Sequence, residues 1–307
     1  MTITIDWVPF GFLPVLKPEG PTSHDVVAKV RKLLPRSVKV GHTGTLDPFA
    51  SGVLVLGLGK ATKFTDAVHR LAKTYKAHLR LGVRTNTLDP TGTVDLEQPV
   101  PDLDPTELET LASRFTGQTM QKPPVFSAKR VGGRKSYELA RRNKAVELDP
   151  REVTIYSLGI RILDAKTLEL TVTCATGTYV RALGRDIAEA LGTCGHLIHL
   201  ERTAIGSIQA SSCIPLEALT AENLPDRTLA VSDLLPEYPQ IELPRAAYSY
   251  FIDGRSYRVK EAMPQQCLAT FTSSDGRVAA IFRCEYQEQE KLVHPRLLCY
   301  LSPAMEK

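Results

Sequence analysis

From Tyr75 to Leu81 the chain alternates residue by residue. Tyr75, Ala77, Leu79 and Leu81 are separated by Lys76, His78 and Arg80. Period two marks a strand with one face in a core and the other in water. Leu168, Leu170, Val172 and Cys174 repeat the pattern, and Val53 to Leu56 reads as a short buried strand. Helical spacing lies between these strands. Val26, Val27, Val30, Leu33 and Leu34 follow Ser23, which reads as an N-cap, and Pro35 ends the run. Val180, Leu183, Ile187 and Leu191 form a second such face, with Gly192 placed to close it. Strands clustered beside helices without regular βαβ alternation predict an α+β fold with a mixed or antiparallel sheet flanked by helices. Composition changes near Leu234-Leu235-Pro236-Glu237-Tyr238-Pro239, and short strands follow at 256–259, 267–271, 278–282 and 296–300. We therefore expect a domain over 1–238 and a small β module over 239–307.

At 307 residues, 43% hydrophobic and 23% charged, the chain has material for a sizeable core. Its apolar runs are too short to cross a bilayer. The first twenty residues have no basic stretch and no compact apolar run before a cleavage site, so we expect no secretory signal. Six cysteines without a CxxC pair read as reduced thiols in a cytoplasmic protein. The formal net charge is +4, but its distribution says more. Residues 1–80 hold 12 basic and 5 acidic residues, and 122–149 hold 8 and 3. Between them, 89–109 carries seven acids and no base. Two basic blocks brought together by the fold would suit a polyanion.

The most unusual segment is Gly41-His42-Thr43-Gly44-Thr45-Leu46-Asp47-Pro48-Phe49-Ala50-Ser51-Gly52-Val53-Leu54. It sets a single carboxylate in a glycine-rich loop just before a strand. Pro48 disfavours αR backbone at Asp47, so that residue belongs to a stiff, extended loop. An isolated Asp-Pro is an ordinary turn dipeptide, but the whole string resembles the catalytic signature of the TruB family of RNA pseudouridine synthases, GHxGTLDPxAxGVL. Further strings resemble that family in order. They are Lys17-Pro18-Glu19-Gly20-Pro21-Thr22-Ser23, Lys73-Thr74-Tyr75, Gln121-Lys122-Pro123-Pro124-Val125-Phe126-Ser127-Ala128, Gly177-Thr178-Tyr179-Val180-Arg181 and His196 to Thr203. Together they span about the first two-thirds of the chain, and the bacterial, tRNA-acting type is the nearest pattern.

The resemblance implies a pseudouridine-synthase-type sheet and a PUA-like C-terminal module. It implies isomerisation of a uridine in the T loop of tRNA, uridine 55, with no cofactor or energy source, because the reaction gains and loses no atoms; no metal is expected either. Asp47 would be the catalytic carboxylate, Arg181 its partner and Tyr75 the ring that stacks on the target base. Leu200 would pack on the other side of the base, and His42 would enter the RNA loop as the uridine leaves the stack. Lys17, Thr45 and Tyr179 would contact substrate. Lys129, Arg130, Arg134 and Arg141 would clamp phosphates from a thumb-like insertion at about 122–149. A carboxylate is already ionised near neutrality. The guanidinium matters once an everted base covers the site, because burial favours the neutral acid and a nearby cation opposes that.

The expected partner is the T arm of tRNA, with no membrane and no obligatory protein partner. Two rival readings share these residues: an RNA chaperone that opens the tRNA elbow, and a guide-RNA-dependent subunit like dyskerin. Intact Asp47, Tyr75 and Arg181 weigh against the first as a sole role, and the lack of a long basic tail weighs against the second. Two other patterns are set aside. Gly57 to Thr62 has a Gly-Lys pair, but Leu54 stands where a phosphate loop needs glycine. Cys194, His196 and His199 lack the further ligands of a zinc set. Glu201 departs from the family's usual arginine, which puts one local charge contact in question.

Overall fold

A computed structural model describes residues 7, 9–125, 130–131, 134–135, 148–272 and 278–301. The strands in chain order begin with β1 Gly11–Lys17, β2 Val40–His42, β3 Ser51–Leu58 and β4 Lys73–Leu81. Then come β5 Val83–Thr85, β6 Val94–Glu97, β7 Gly117–Gln121, β8 Arg130–Val131 and β9 Arg134–Lys135. β10 Arg151–Asp164, β11 Thr167–Cys174, β12 Gly195–Ile205, β13 Ile208–Gln209 and β14 Ile214–Pro215 complete the first region. One large sheet runs β14-β1-β3-β12-β4-β11-β10-β7, with β2 on β3 and β13 on β12. The pairs β1·β14 and β3·β12 are parallel and the other pairs antiparallel, so the sheet is mixed.

The alternating strands behave as their period requires. On β4, Ala77, Leu79 and Leu81 are buried with Leu168, Leu170 and Val172 of β11. Helix α4, Val180–Ala190, lays Val180, Leu183 and Ile187 on that face. Each fully buried leucine or isoleucine contributes about 1.5–3 kcal/mol by leaving water. Helix α1, Ser23–Arg31, seals another part of the sheet, packing Val26, Val27 and Val30 with Leu13, Val15, Leu54 and Leu56. Its N-cap is Thr22 rather than Ser23. Thr22 and Asp25 form a reciprocal capping box, which frees the Ser23 hydroxyl for another task. Helix α2 spans Thr65–Arg70 and helix α3 spans Pro105–Phe115.

A second sheet follows. β15 Gln240–Glu242, β16 Tyr257–Arg258, β17 Gln266–Thr272, β18 Val278–Gln287 and β19 Leu292–Leu301 pair in the order β15-β17-β18-β19-β16. Helix 245–252 packs Ala247 and Phe251 on this sheet's own core. The sheet abuts the first region through Leu268, Ile281 and Cys299, which share a cluster with Phe12, Phe64 and Val231. All six cysteines are free and buried. Among the described residues no helix is long and apolar enough to cross a membrane.

Candidate active site

Asp47 sits between β2 and β3 in a loop tied down at almost every residue. Pro48 is the second residue of a turn closed by the Ala50 N–H on the Asp47 carbonyl at 3.1 Å, the position that fixed φ favours. The Leu46 side chain is anchored in the core, and the Ser23 hydroxyl both accepts from its N–H (2.9 Å) and donates to its carbonyl (3.1 Å). The Pro48 carbonyl accepts from Gly20 N–H at 2.8 Å and from Lys17 Nζ at 3.3 Å. From below, Arg202, only 1% exposed, donates Nε to the Val53 carbonyl at 2.7 Å and its two other nitrogens to the Gly44 and Thr45 carbonyls at 3.4 Å. Gly52 makes that placement possible: its φ is +108°, and a Cβ there would lie 2.2 Å from the Arg202 carbonyl.

Opposite stands the segment Ala175–Arg181. Residues 175–178 form a turn with Gly177 at φ +93°, the left-handed position such a turn assigns to glycine. The side-chain amide of Gln121 brackets the Tyr179 backbone, accepting its N–H at 2.9 Å and donating to its carbonyl at 3.2 Å. Arg151 donates to the Gly177 carbonyl and lays its guanidinium 4.8 Å from the Tyr179 ring centroid. Helix α4 then points Arg181 across the gap.

Arg181 Nε lies 2.8 Å from Asp47 Oδ2. Its Nη1 donates to Asp89 Oδ2 at 3.1 Å and to the Thr87 carbonyl at 2.8 Å. Asp47 is one-third exposed, while the Arg181 and Asp89 side chains are nearly buried. The other Asp89 oxygen accepts from Thr87 Oγ1, Thr91 Oγ1 and Thr91 N–H. A buried guanidinium is thus anchored behind by one carboxylate and holds a second at the cleft surface, with charge-assisted bonds on both sides.

The cleft holds about 390 Å³ and is lined by Asp47, Arg181, Tyr75, Leu200, Thr45 and Tyr179, together with His69, Lys73, Arg151 and Arg202. Six of the residues expected from sequence therefore meet at one place. Burial pushes the Tyr75 phenol up, with the Arg202 guanidinium opposing part of that, so near neutrality the ring is an uncharged face. Lys73, buried, donates to the carbonyls of His69 and Leu71, and burial lowers its ammonium to about 8. Cations outnumber carboxylates on these walls, which suits a phosphate-bearing ligand.

Lys17 needs correction. It is 1% exposed, and its ammonium donates to the Pro18, Pro21 and Pro48 carbonyls. It therefore braces the Asp47 loop and does not reach the cleft surface. Burial brings it down to about 8, opposed first by Asp47. His42 lies on β2 outside the cleft lining, its ring edge-on to His24 at 5.1 Å, and burial lowers its imidazole. Arg130 and Arg134 fall on the short hairpin β8–β9, whereas Lys129 and Arg141 lie outside the described residues. Glu201 pairs in register with Lys76, on the sheet face opposite Tyr75 and Arg202, so its departure from the family pattern leaves the cleft intact. Cys194 and His196 bond to the Leu96 and Val83 carbonyls, and His199 pairs with Glu19, so these three do not converge.

Sequence reasoning missed Asp89 and Arg202. Asp89 had a visible signal: Thr87-Leu88-Asp89-Pro90 repeats Thr45-Leu46-Asp47-Pro48 letter for letter. Both aspartates open a Pro-containing turn, and both hold Arg181. Leu88 carries φ +61°, a conformation costly for a branched side chain.

Residues 31–180 match the family described as TruB family pseudouridylate synthase (N terminal domain). The chain is 41% identical over 261 residues to a tRNA pseudouridine synthase B of Ralstonia pickettii, covering 83% of this chain and 81% of that one. It is also 41% identical over 249 residues to a protein of the same name from Caldanaerobacter subterraneus, covering 81% and 86%. Among solved structures it resembles a chain in the crystal structure of a Cbf5-Nop10-Gar1 complex, with TM-score 0.63 and 22% identity over 95% of this chain and 86% of that chain. The likeness is one of fold: a mixed sheet flanked by helices, followed by a small PUA-like β module. With relatives of this identity over four-fifths of its length, the chain belongs to the TruB family of pseudouridylate synthases.

Proposed function

We propose that the chain isomerises uridine to pseudouridine in the T loop of tRNA, at uridine 55. The observation that carries this is the Asp47 carboxylate held at 2.8 Å by an Arg181 guanidinium anchored on buried Asp89. A single nucleotide everted from its stack enters the cleft, at a cost of a few kcal/mol in lost stacking and pairing. Tyr75 offers an uncharged ring to one face of the base and Leu200 packs on the other. Asp47 then faces the sugar. The C–N glycosidic bond breaks, the uracil turns within the cleft, and C5 bonds to the sugar carbon as Asp47 gives up the bond or proton it took; C5 then loses its proton and N1 takes one up, so no atom is gained or lost. Asp47 serves either by attacking the sugar or by taking its 2′ proton. Arg181 keeps that carboxylate ionised and oriented once the base excludes water. The cations of the hairpin segment clamp the stem by its phosphates.

Residues 1–238 form the catalytic unit in this reading, with the basic insertion at about 122–149, and 239–307 the PUA-like module. The enzyme acts in the cytoplasm and alone. The test is pseudouridine mapping of an unmodified tRNA transcript incubated with the purified chain. Conversion confined to the T-loop uridine, without guide RNA or other protein, is the expected result. No conversion, or conversion only with added partners, would refute the stand-alone reading.

A further inference from the structure

We propose that His69 is a positioning residue for this reaction, its one ring tying the loop that carries Asp47 to the turn that leads into Arg181. His69 lies in the last turn of α2, on the cleft wall. Its Nδ1 is 2.9 Å from the Thr43 carbonyl, and its Nε2 is 3.0 Å from Thr176 Oγ1. A carbonyl only accepts, so Nδ1 carries the proton and donates. In the neutral ring Nε2 is then an acceptor, and the Thr176 hydroxyl donates to it. Thr43 opens the Asp47 loop, and Thr176 lies within the turn just before Arg181. The ring therefore sets the separation of the two loops without using the carboxylate or the guanidinium. The Lys73 ammonium supports this contact by fixing the end of α2, donating to the His69 carbonyl.

This inference rests on the proposed isomerase reading and adds a residue to it. The consequence is kinetic. Catalysis by a positioned carboxylate depends on sub-ångström placement of the reacting groups, whereas affinity for the tRNA stem does not depend on this bridge. The test uses the full chain as His69→Leu, Thr176→Val and the double variant. Single-turnover pseudouridine formation and tRNA affinity are measured beside thermal melts that verify folding. Each single variant is expected to slow the chemical step by about tenfold, with affinity within twofold of the parent. The double variant is expected to be no slower than the slower single variant, because both remove one bridge. Folded variants with parental rates, losses that multiply in the double variant, or a loss confined to affinity would each overturn the assignment. Thr176→Val changes a single hydroxyl to a methyl group, so the test stands even if His69→Leu folds poorly. A parent chain that forms no pseudouridine in tRNA would instead sink the isomerase reading beneath it.

Discussion

Asp89→Asn isolates the anchor behind the Asp47–Arg181 pair. The amide oxygen can still accept from Thr87 Oγ1 and from the N–H and hydroxyl of Thr91, the three partners of Oδ1. The change therefore falls on one bond, Arg181 Nη1 to Oδ2 at 3.1 Å. A hydrogen bond to a charged group is worth about 1.5–3 kcal/mol. Here an NH2 group would also face the guanidinium, donor against donor, in a nearly buried place. Arg181 keeps the Thr87 carbonyl and Asp47 itself, so the loss is about 2 kcal/mol rather than the roughly 3–5 kcal/mol of a buried charge left alone. Expressed in the transition state, about 2 kcal/mol is roughly thirtyfold in rate. Single-turnover pseudouridine formation at saturating enzyme reads that rate, and filter binding reads tRNA affinity. The rate should fall by about thirtyfold while affinity holds, because Asp89 sits behind Arg181 and away from the cleft. A rate within twofold of the parent would refute the anchoring argument, and so would a loss of affinity alone.

Three further outcomes follow from the same structure. Tyr75→Phe should retain tRNA binding and base stacking, while Tyr75→Ala should lose about 1–3 kcal/mol of stacking, seen as a fall in kcat/KM. Equal losses in the two variants would assign the effect to the hydroxyl. Glu169, bonded first to Lys76 and then to Arg161, has its carboxyl lowered to about 2. Its folded value lies below the unfolded one, so its stabilisation is complete above pH 4.5 and is lost as pH falls toward 2. These partners are exposed, so Glu169→Gln should cost only about 1 kcal/mol at neutral pH. Paired thermal melts should show that gap closing under acid; a gap that is constant with pH would contradict the ion-pair account. Replacing Arg130 and Arg134 together with Ala should flatten the salt dependence of tRNA binding by about one unit of slope per lost phosphate contact. An unchanged slope would remove both from the RNA interface.

Much of the fold was legible because burial imposes period. The alternation at 75–81 and 168–174 became paired strands β4 and β11, and the run from Val180 became α4, ended at Gly192 in left-handed backbone. The N-cap slipped by one residue, since Thr22 and Ser23 both suit the position and only tertiary structure shows that Ser23 is claimed by Leu46. The strings around them singled out Asp47, Arg181 and Tyr75, and the three line one cleft. Lys17 stood in such a string too, but a string does not say whether a cation faces the ligand or the backbone. The repeated Thr-Leu-Asp-Pro string marks Asp89, but its partner Arg181 stands on a helix far along the chain, and Arg202 depends on a contact between distant strands. Arg202 reaches the Val53 carbonyl only because β12 runs parallel to β3.

The most direct test concerns Asp47 itself. Asp47→Asn keeps the shape of the side chain and removes its charge beside Arg181. Measured with unmodified tRNA at saturating enzyme, the variant should bind tRNA as the parent does and form no pseudouridine at position 55. Product formation at the parental rate would contradict the claim that this carboxylate performs the chemistry.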